Sequence, residues 1–187
     1  MAFCRMCATP TIQSIPAGDS CMREVCPNCN HIEYVNPKLI CGAIVSYQDK
    51  ILLCRRAIEP RYGYWTIPAG FMEMGETLEQ GALRETWEEA EAQGENAQLY
   101  CLYDIPRISQ IYSIYRADLK DGVFGVGVES LECALFAEAD IPWKELAFPS
   151  VVRTLKHYFH DRKQGHFPLH HEVISETVAD LDDAINI

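Results

Sequence analysis

Apolar runs long enough to span a bilayer are missing from this chain, and the N-terminus lacks the apolar core of a signal peptide. The sequence therefore predicts neither a membrane span nor export, and a cytoplasmic location is the expectation. Positive charge is scarce as well: 16 Lys and Arg stand against 27 Asp and Glu, a net charge of −11. That balance argues against a non-specific nucleic-acid surface or an anionic-membrane surface. It leaves room for an anionic small molecule, because bound metal ions reverse the sign locally. Internal repeats and low-complexity segments are absent, which sets aside a repeat architecture. With 187 residues the chain suffices for one well-buried domain and a small addition, but not for two full-sized enzymatic domains.

Cysteine, by contrast, is plentiful. In a reducing cytosol nine cysteines point to metal before disulfides. Cys4 and Cys7 form one Cys-x-x-Cys knuckle, and Cys26 and Cys29 form another. Two such pairs supply the four thiolates of a tetrahedral Zn²⁺ site. A segment this short buries too little surface to fold alone, so the metal would hold it together. Ala8 and Asn30 occupy knuckle positions that favour glycine, and alanine tolerates the left-handed backbone poorly. Cys41, Cys54, Cys101 and Cys133 fall in apolar runs and read as small buried hydrophobes.

The stretch from Gly70 to Ala92 carries the densest pattern. Gly70 and Gly75 mark a turn-rich approach, and Thr77 is a candidate N-cap. From Leu78 to about Gln93 the proline-free run, rich in alanine, leucine, glutamate and arginine, predicts a helix. Leu78, Ala82, Thr86 and Ala90, flanked by Leu83 and Trp87, give a core-facing stripe. Glu85, Glu88 and Glu89 recur at i, i+3 and i+4, which places three carboxylates on one side within about one turn. Like charges so close need a counter-charge. Mg²⁺ or Mn²⁺ provides one by seeking carboxylate and carbonyl oxygens, and Arg84 can hold a carboxylate bidentately.

Taken whole, Gly70-x5-Glu76-x7-Arg84-Glu85-x2-Glu88-Glu89 resembles the signature of the Nudix hydrolases. Thr86 and Glu91 depart from the family pattern, at a packing position and at the helix exit where the family has glycine. The resemblance implies an α/β/α Nudix sandwich with a mixed sheet, preceded here by a four-cysteine zinc ribbon. It also implies divalent metal on Glu85, Glu88 and Glu89, completed by the Gly70 carbonyl, with Glu76 and Arg84 orienting the helix. Glu129 matches a region from which Nudix enzymes draw a further carboxylate as base or metal ligand.

Along the chain, Asn36-Pro37 is a turn and a boundary, dividing a ribbon at 1–35 from a Nudix domain at 36–167 and a tail at 168–187. Leu39–Tyr47 and Lys50–Arg56 read as a β-hairpin about Gln48-Asp49. Trp65–Ala69, Ala97–Tyr103, Ile108–Ala117 and Leu131–Glu138 read as strands, and Phe148–Arg162 as a helix. Residues 120–130, with three glycines, read as a mobile loop. The acidic tail either packs on the body or mediates a homodimer.

Arg56, Arg61 and Tyr62 mix cations with a ring, a combination that suits a pyrophosphate linked to a base or flavin. Arg55 and Arg56 alternate sides of a strand, so at most one faces substrate. Trp65 reads as core, and Glu73 is a candidate to approach the phosphates. NADH pyrophosphatases pair a ribbon with this signature but carry a Ser-Gln-Pro-Trp-Pro-Phe-Pro-x-Ser segment, of which Ser109-Gln110-Ile111-Tyr112 keeps a fragment. The ribbon, Leu52–Arg56, Pro68–Glu73 and Phe148-Pro149-Ser150 resemble the plant FAD and ADP-ribose pyrophosphatases instead. An ADP-linked pyrophosphate is therefore the expected substrate, with NADH next. Nudix-like regulators that sense nucleotides without hydrolysis are the alternative class; loss of a metal glutamate would favour them, and none is lost.

Overall fold

The structure, a computed structural model, describes residues 2–180. The chain divides into one compact unit up to Pro37 and a second from Lys38 onward. The first is a three-stranded antiparallel sheet of β1 (Ile12–Ser14), β2 (Arg23–Val25) and β3 (Ile32–Glu33). Its two knuckles have matching backbones: Ala8 N–H bonds the Cys4 carbonyl at 2.8 Å, and Asn30 N–H bonds the Cys26 carbonyl at 3.0 Å. Ala8 and Asn30 are both left-handed, with φ of 58° and 57°, the conformation expected at those positions.

In the second unit, β4 (Lys38–Tyr47) and β5 (Lys50–Arg56) form the expected hairpin, with Gln48 at φ 56° in the turn. The run Trp65–Ala69 is two short strands rather than one. Its first part, β6 (Trp65–Thr66), pairs with β5, and β7 (Ala69–Phe71) pairs with β4. Pro68, which has no N–H to donate, sits at the break. There follow α1 (Leu78–Ala90), β8 (Gly94–Ile105), β9 (Gln110–Leu119), β10 (Ser130–Phe136), α2 (Pro149–Gln164) and β11 (His170–Val173). The sheet order is β10-β5-β4-β9-β8-β11, with β4–β9 and β8–β11 parallel and the other neighbours antiparallel.

The alternation of side chains explains the layers. Cys41, Ala43 and Val45 of β4, with Leu52 and Cys54 of β5, pack with Ala82 and Ala90 of α1. Their neighbours Ile44, Ile51 and Leu53 face the opposite way and pack with Val151, Leu155, Tyr158 and Phe159 of α2. Strands buried on both faces read as continuous apolar runs, which is what β4 and β5 show. The result is a mixed sheet between helices, the expected sandwich. Trp65 belongs to the core, edge-on to Phe136 with ring centroids 4.9 Å apart. Part of the acidic tail packs on the body: β11 extends the sheet, Ile174 is buried, and its N–H bonds the Asp104 carbonyl at 2.9 Å. The remainder of the tail, 181–187, lies outside the described residues.

Candidate metal centre and cleft

Helix α1 opens with a capping box. Thr77 Oγ1 accepts from Gln80 N–H at 3.2 Å, and Gln80 Oε1 accepts from Thr77 N–H at 2.8 Å, satisfying two orphan donors. The helix stops at Ala90, three residues short of the expected Gln93, because Glu91 turns left-handed at φ 48°. Glu91 therefore occupies a position whose backbone favours glycine, which explains the family preference there.

The faces of α1 differ from the expected stripe. Ala82, Thr86 and Ala90 are buried, but Trp87 is exposed, and Glu85 and Glu89 are buried. Chain segments from outside the helix cover the carboxylates. On one side is β7, where Ala69 N–H reaches Glu89 Oε1 at 3.4 Å. On another is the loop 120–130. It is not free: Gly125 N–H bonds the Ala90 carbonyl at 2.7 Å, and Gly127 N–H bonds the Glu89 carbonyl at 3.0 Å. These bonds cap the C-terminal carbonyls of the helix and bring Glu129 to the same cleft.

Arg84 organises the carboxylates. Its Nε and Nη2 bind the two oxygens of Glu76 at 3.0 and 2.8 Å, and Nη1 binds Glu85 at 2.6 Å and Glu88 at 2.9 Å. Nη2 also donates to the Phe71 carbonyl at 3.0 Å, tying α1 to β7. The Arg84 bonds, with Glu73 N–H, hold the Glu76 carboxyl down at about 2. Burial raises Glu85, and burial followed by the charge of Glu85 pushes Glu89 up to about 8. Two adjacent buried carboxylates with raised values form a site short of positive charge.

The donor set fits a hard divalent cation in kind: three carboxylates on one helix face, with polar backbone beside them. Glu85 and Glu88 are turned to Arg84, so ligation would exchange those bonds for the ion. Gly70 is placed differently from the expectation. Its carbonyl faces β4, where the Cys41 thiol donates at 3.8 Å. Pro68 and Met72 also bond β4, whereas Ala69 and Phe71 bond groups of α1. The alternation of a strand thus turns the Ala69 backbone, not that of Gly70, toward the carboxylates. Gly70 matters for space: a Cβ there would lie 2.4 Å from Glu85 Oε1.

The carboxylates open onto a cleft of about 970 Å³, large enough for a dinucleotide-sized ligand. Arg56 and Glu73 line it. Arg55 faces away, bonded to the Gly63 carbonyl at 2.9 Å, so one of the two arginines faces the cleft, as alternation requires. Arg61 and Tyr62 lie outside the lining among the described residues: Arg61 stacks on the Tyr64 ring at 3.6 Å, and Tyr62 is solvent-exposed. The lining also includes Ile108, Gln110, Tyr112 and Phe148, with Ile174 and Val178 from the C-terminal segment. No local pattern marks these as site residues; the alternation around Tyr112 is too mixed to mark a face.

In the first unit, Cys4–Cys29, Cys7–Cys26 and Cys7–Cys29 sulfurs lie 3.6, 3.5 and 3.6 Å apart. Four thiolates at 2.3 Å from one Zn²⁺ stand roughly 3.8 Å apart, so the cluster matches a tetrahedral zinc site. All four ligand atoms fall within 4.8 Å of one another.

The NUDIX domain family matches residues 38–124, and the Nudix N-terminal zinc-ribbon family matches residues 2–35. A crystal structure of a NUDIX hydrolase from Nitrosomonas europaea superposes with a TM-score of 0.89 at 48% identity, covering 93% of this chain and 99% of that one. This chain belongs to the Nudix hydrolase family. Among curated Nudix relatives, the NAD-capped RNA hydrolase NudC of Photobacterium profundum is 32% identical over 142 residues, covering 74% of this chain and 50% of NudC. The ADP-ribose pyrophosphatase of Methanocaldococcus jannaschii is 30% identical over 119 residues, covering 62% and 69%. The chain thus spans about half the length of the NudC relatives it matches. No helix among the described residues is long and apolar enough to cross a membrane.

Proposed function

We propose that this Nudix hydrolase cleaves the pyrophosphate of a nucleoside diphosphate linked to another moiety, with ADP-ribose and FAD as leading substrates. Water and ADP-ribose would give AMP and ribose 5-phosphate; water and FAD would give AMP and FMN. The reading rests on one observation: Glu85, Glu88 and Glu89 of α1 all line one large cleft, together with the apolar and aromatic side chains of Ile108, Tyr112 and Phe148. Mg²⁺ or Mn²⁺ held there would neutralise the bridging phosphates and acidify water.

The chain's own residues do the rest. Arg84, held by Glu76, keeps Glu85 and Glu88 in register with each other, and Glu89 is held by the Ala69 N–H. The Ala69 backbone faces α1 through its N–H, and its carbonyl oxygen, on the same side of a strand, would complete the shell in place of that of Gly70. Arg56 and Glu73 lie where the phosphates would pass, and Arg56, over the Phe148 ring at 5.1 Å, carries positive charge. Glu129, whose charge is felt by both Glu85 and Glu89, is the candidate to take the proton from the attacking water. The ribbon holds Zn²⁺ structurally, and a reducing, cytoplasmic setting suits thiols that are all free.

Gln110 and Tyr112 line the cleft, in the segment where the sequence departs from the NADH pyrophosphatase pattern. That placement favours ADP-ribose or FAD over NADH. The NudC relatives are named for NAD-capped RNA, so RNA ends belong in the test. AMP release from ADP-ribose, FAD and NADH, and cleavage of NAD-capped RNA, are to be measured with Mg²⁺ or Mn²⁺ for wild type and Glu88→Gln. Glu88 is exposed, so the variant should fold. The expected result is turnover of ADP-ribose or FAD that falls on the order of 100-fold in the variant, the scale of one lost electrostatic contributor. Fastest cleavage of the RNA or NADH would reassign the substrate. Absence of turnover on all four would overturn hydrolysis in favour of nucleotide sensing.

A further inference from the structure

Cys54 of β5 and Cys133 of β10 are directly opposed across an antiparallel strand pair, and their sulfurs stand 3.5 Å apart. Opposed residues in such a pair have Cα atoms about 4.5–5.5 Å apart, inside the range that a disulfide spans. The side chains also point the same way. Cys54 packs in the layer beneath α1, and Cys133 Sγ donates to the Glu89 carbonyl at 3.4 Å. Nothing in the proposed hydrolysis uses either thiol.

We propose that Cys54 and Cys133 form an oxidisable dithiol, a modification site for peroxide-class oxidants that lies directly behind the metal helix. Access orders the chemistry. Cys54 is fully buried and Cys133 is partly exposed, so the peroxide meets Cys133. Its sulfur attacks one peroxide oxygen, the O–O bond breaks, and sulfenic acid and one water form. Cys54 sulfur then attacks Cys133 sulfur; the S–O bond breaks, and the oxygen leaves as a second water. In sum two thiols lose two electrons and two protons, and hydrogen peroxide becomes two waters.

The consequence reaches the catalytic helix. The sulfurs must close from 3.5 Å to about 2.05 Å. The proton that Cys133 donates to the Glu89 carbonyl is removed, leaving Gly127 N–H as that oxygen's remaining donor outside the helix among the described bonds. A strand that draws toward β5 while releasing Glu89 shifts the end of α1 that carries Glu88 and Glu89. A misplacement of about an ångström at a reacting centre can cost about 100-fold in rate. A short-lived disulfide of this kind is compatible with a reducing compartment, where regulatory disulfides are transient.

The test treats the zinc-loaded full chain with hydrogen peroxide, alkylates the remaining thiols, and maps tryptic peptides while following zinc content and AMP release. Wild type, Cys133→Ser and Cys54→Ser are compared. Expected is a cross-link between peptides 51–55 and 121–144, absent from both variants, with zinc retained. Wild-type turnover should fall several-fold, return with dithiothreitol, and stay unchanged under peroxide in Cys133→Ser. No cross-link with zinc retained, a cross-link without change in turnover, or equal inactivation of Cys133→Ser would each overturn the proposal. The inhibition arm rests on the hydrolase reading, but the map needs no substrate. Failure of that reading would appear as an untreated protein without turnover, and the map alone would then decide whether the site exists.

Discussion

Arg84 grips Glu76 through two parallel bonds, Nε to Oε2 at 3.0 Å and Nη2 to Oε1 at 2.8 Å, and its remaining donor reaches Glu85 and Glu88. One planar guanidinium thus positions two carboxylates of the candidate centre against a third that has no metal role. Lysine offers a point charge and cannot reproduce that fork. Arg84→Lys should leave α1 packed through Ala82, Thr86 and Ala90, and lower kcat by about 10–100-fold, with a matching loss of Mn²⁺ affinity. Steady-state kinetics with a Mn²⁺ titration by electron paramagnetic resonance checks this. Wild-type affinity and rate in the variant would show that Arg84 is not needed to align the carboxylates.

Glu89 sets a pH dependence that opposes the usual carboxylate behaviour. Its ordinary value is 4.5, and burial with the charge of Glu85 pushes it up to about 8 in the metal-free fold. Between those values the folded chain holds a proton that the unfolded chain has released, so stability falls as pH rises. The stabilising contribution is complete below 4.5 and gone above about 8. Glu85, also raised by burial, acts with the same sign. Thermal melts of zinc-loaded protein without added Mg²⁺ or Mn²⁺, from pH 5 to 8, should show a falling melting temperature, flattened in Glu89→Gln. At pH 7, binding of Mn²⁺ should release protons, measurable by calorimetry in buffers of different ionisation enthalpy. A melting temperature that rises over this range would contradict the buried, protonated carboxyl.

Glu91 holds α1's exit at φ 48° and ψ 32°. A side chain in the left-handed region costs about 1–2 kcal/mol, part of which glycine returns through its looser unfolded chain. Glu91→Gly should therefore stabilise by about 1 kcal/mol or less, raising the melting temperature by roughly 1–3 °C for a chain of this size. Differential scanning calorimetry is sufficient, and a lower melting temperature would mean that the Glu91 carboxylate, packed against Gly125, contributes more than the strain removes.

Features written locally were legible in the chain. The β4–β5 hairpin, the Thr77 start of α1 and the two cysteine knuckles depend on neighbours in sequence, and the structure has them where the residues place them. What escaped depends on distant segments. A stripe drawn through Ala82, Thr86 and Ala90 leaves out Glu85 and Glu89, which stand three and seven residues from Ala82 and so beside it on the same side of the helix; the cover provided by β7 and the loop 120–130 extends the interior over them and leaves Trp87 outside. A strand's alternation is visible only once its partner is known, so the Gly70 carbonyl turned out to belong to β4. The same holds for Cys54 and Cys133, 79 residues apart and adjacent only through sheet register. The cleft wall from Ile174 and Val178 follows from β11 pairing with β8, which four half-exposed residues do not announce.

The glycines of that loop give a discriminating pair of substitutions. A Cβ at Gly127 would sit 1.7 Å from the Glu88 carbonyl oxygen, a backbone atom that cannot move without unwinding the helix. A Cβ at Gly125 would meet Glu91 Oε2 at 2.3 Å, the far end of a flexible side chain. Neither glycine has a positive φ, so the difference is one of space. Gly127→Ala should push the loop off α1, break its bond to the Glu89 carbonyl, displace Glu129 and destabilise by on the order of 2 kcal/mol. Gly125→Ala should stay near wild type in melting temperature and turnover. If Glu129 takes the proton from water, Gly127→Ala should also lose kcat at temperatures well below its melting transition, with KM less affected. Equal behaviour of the two variants would mean that the loop does not need its close seat on the helix, and Glu129 would have to be placed by something else.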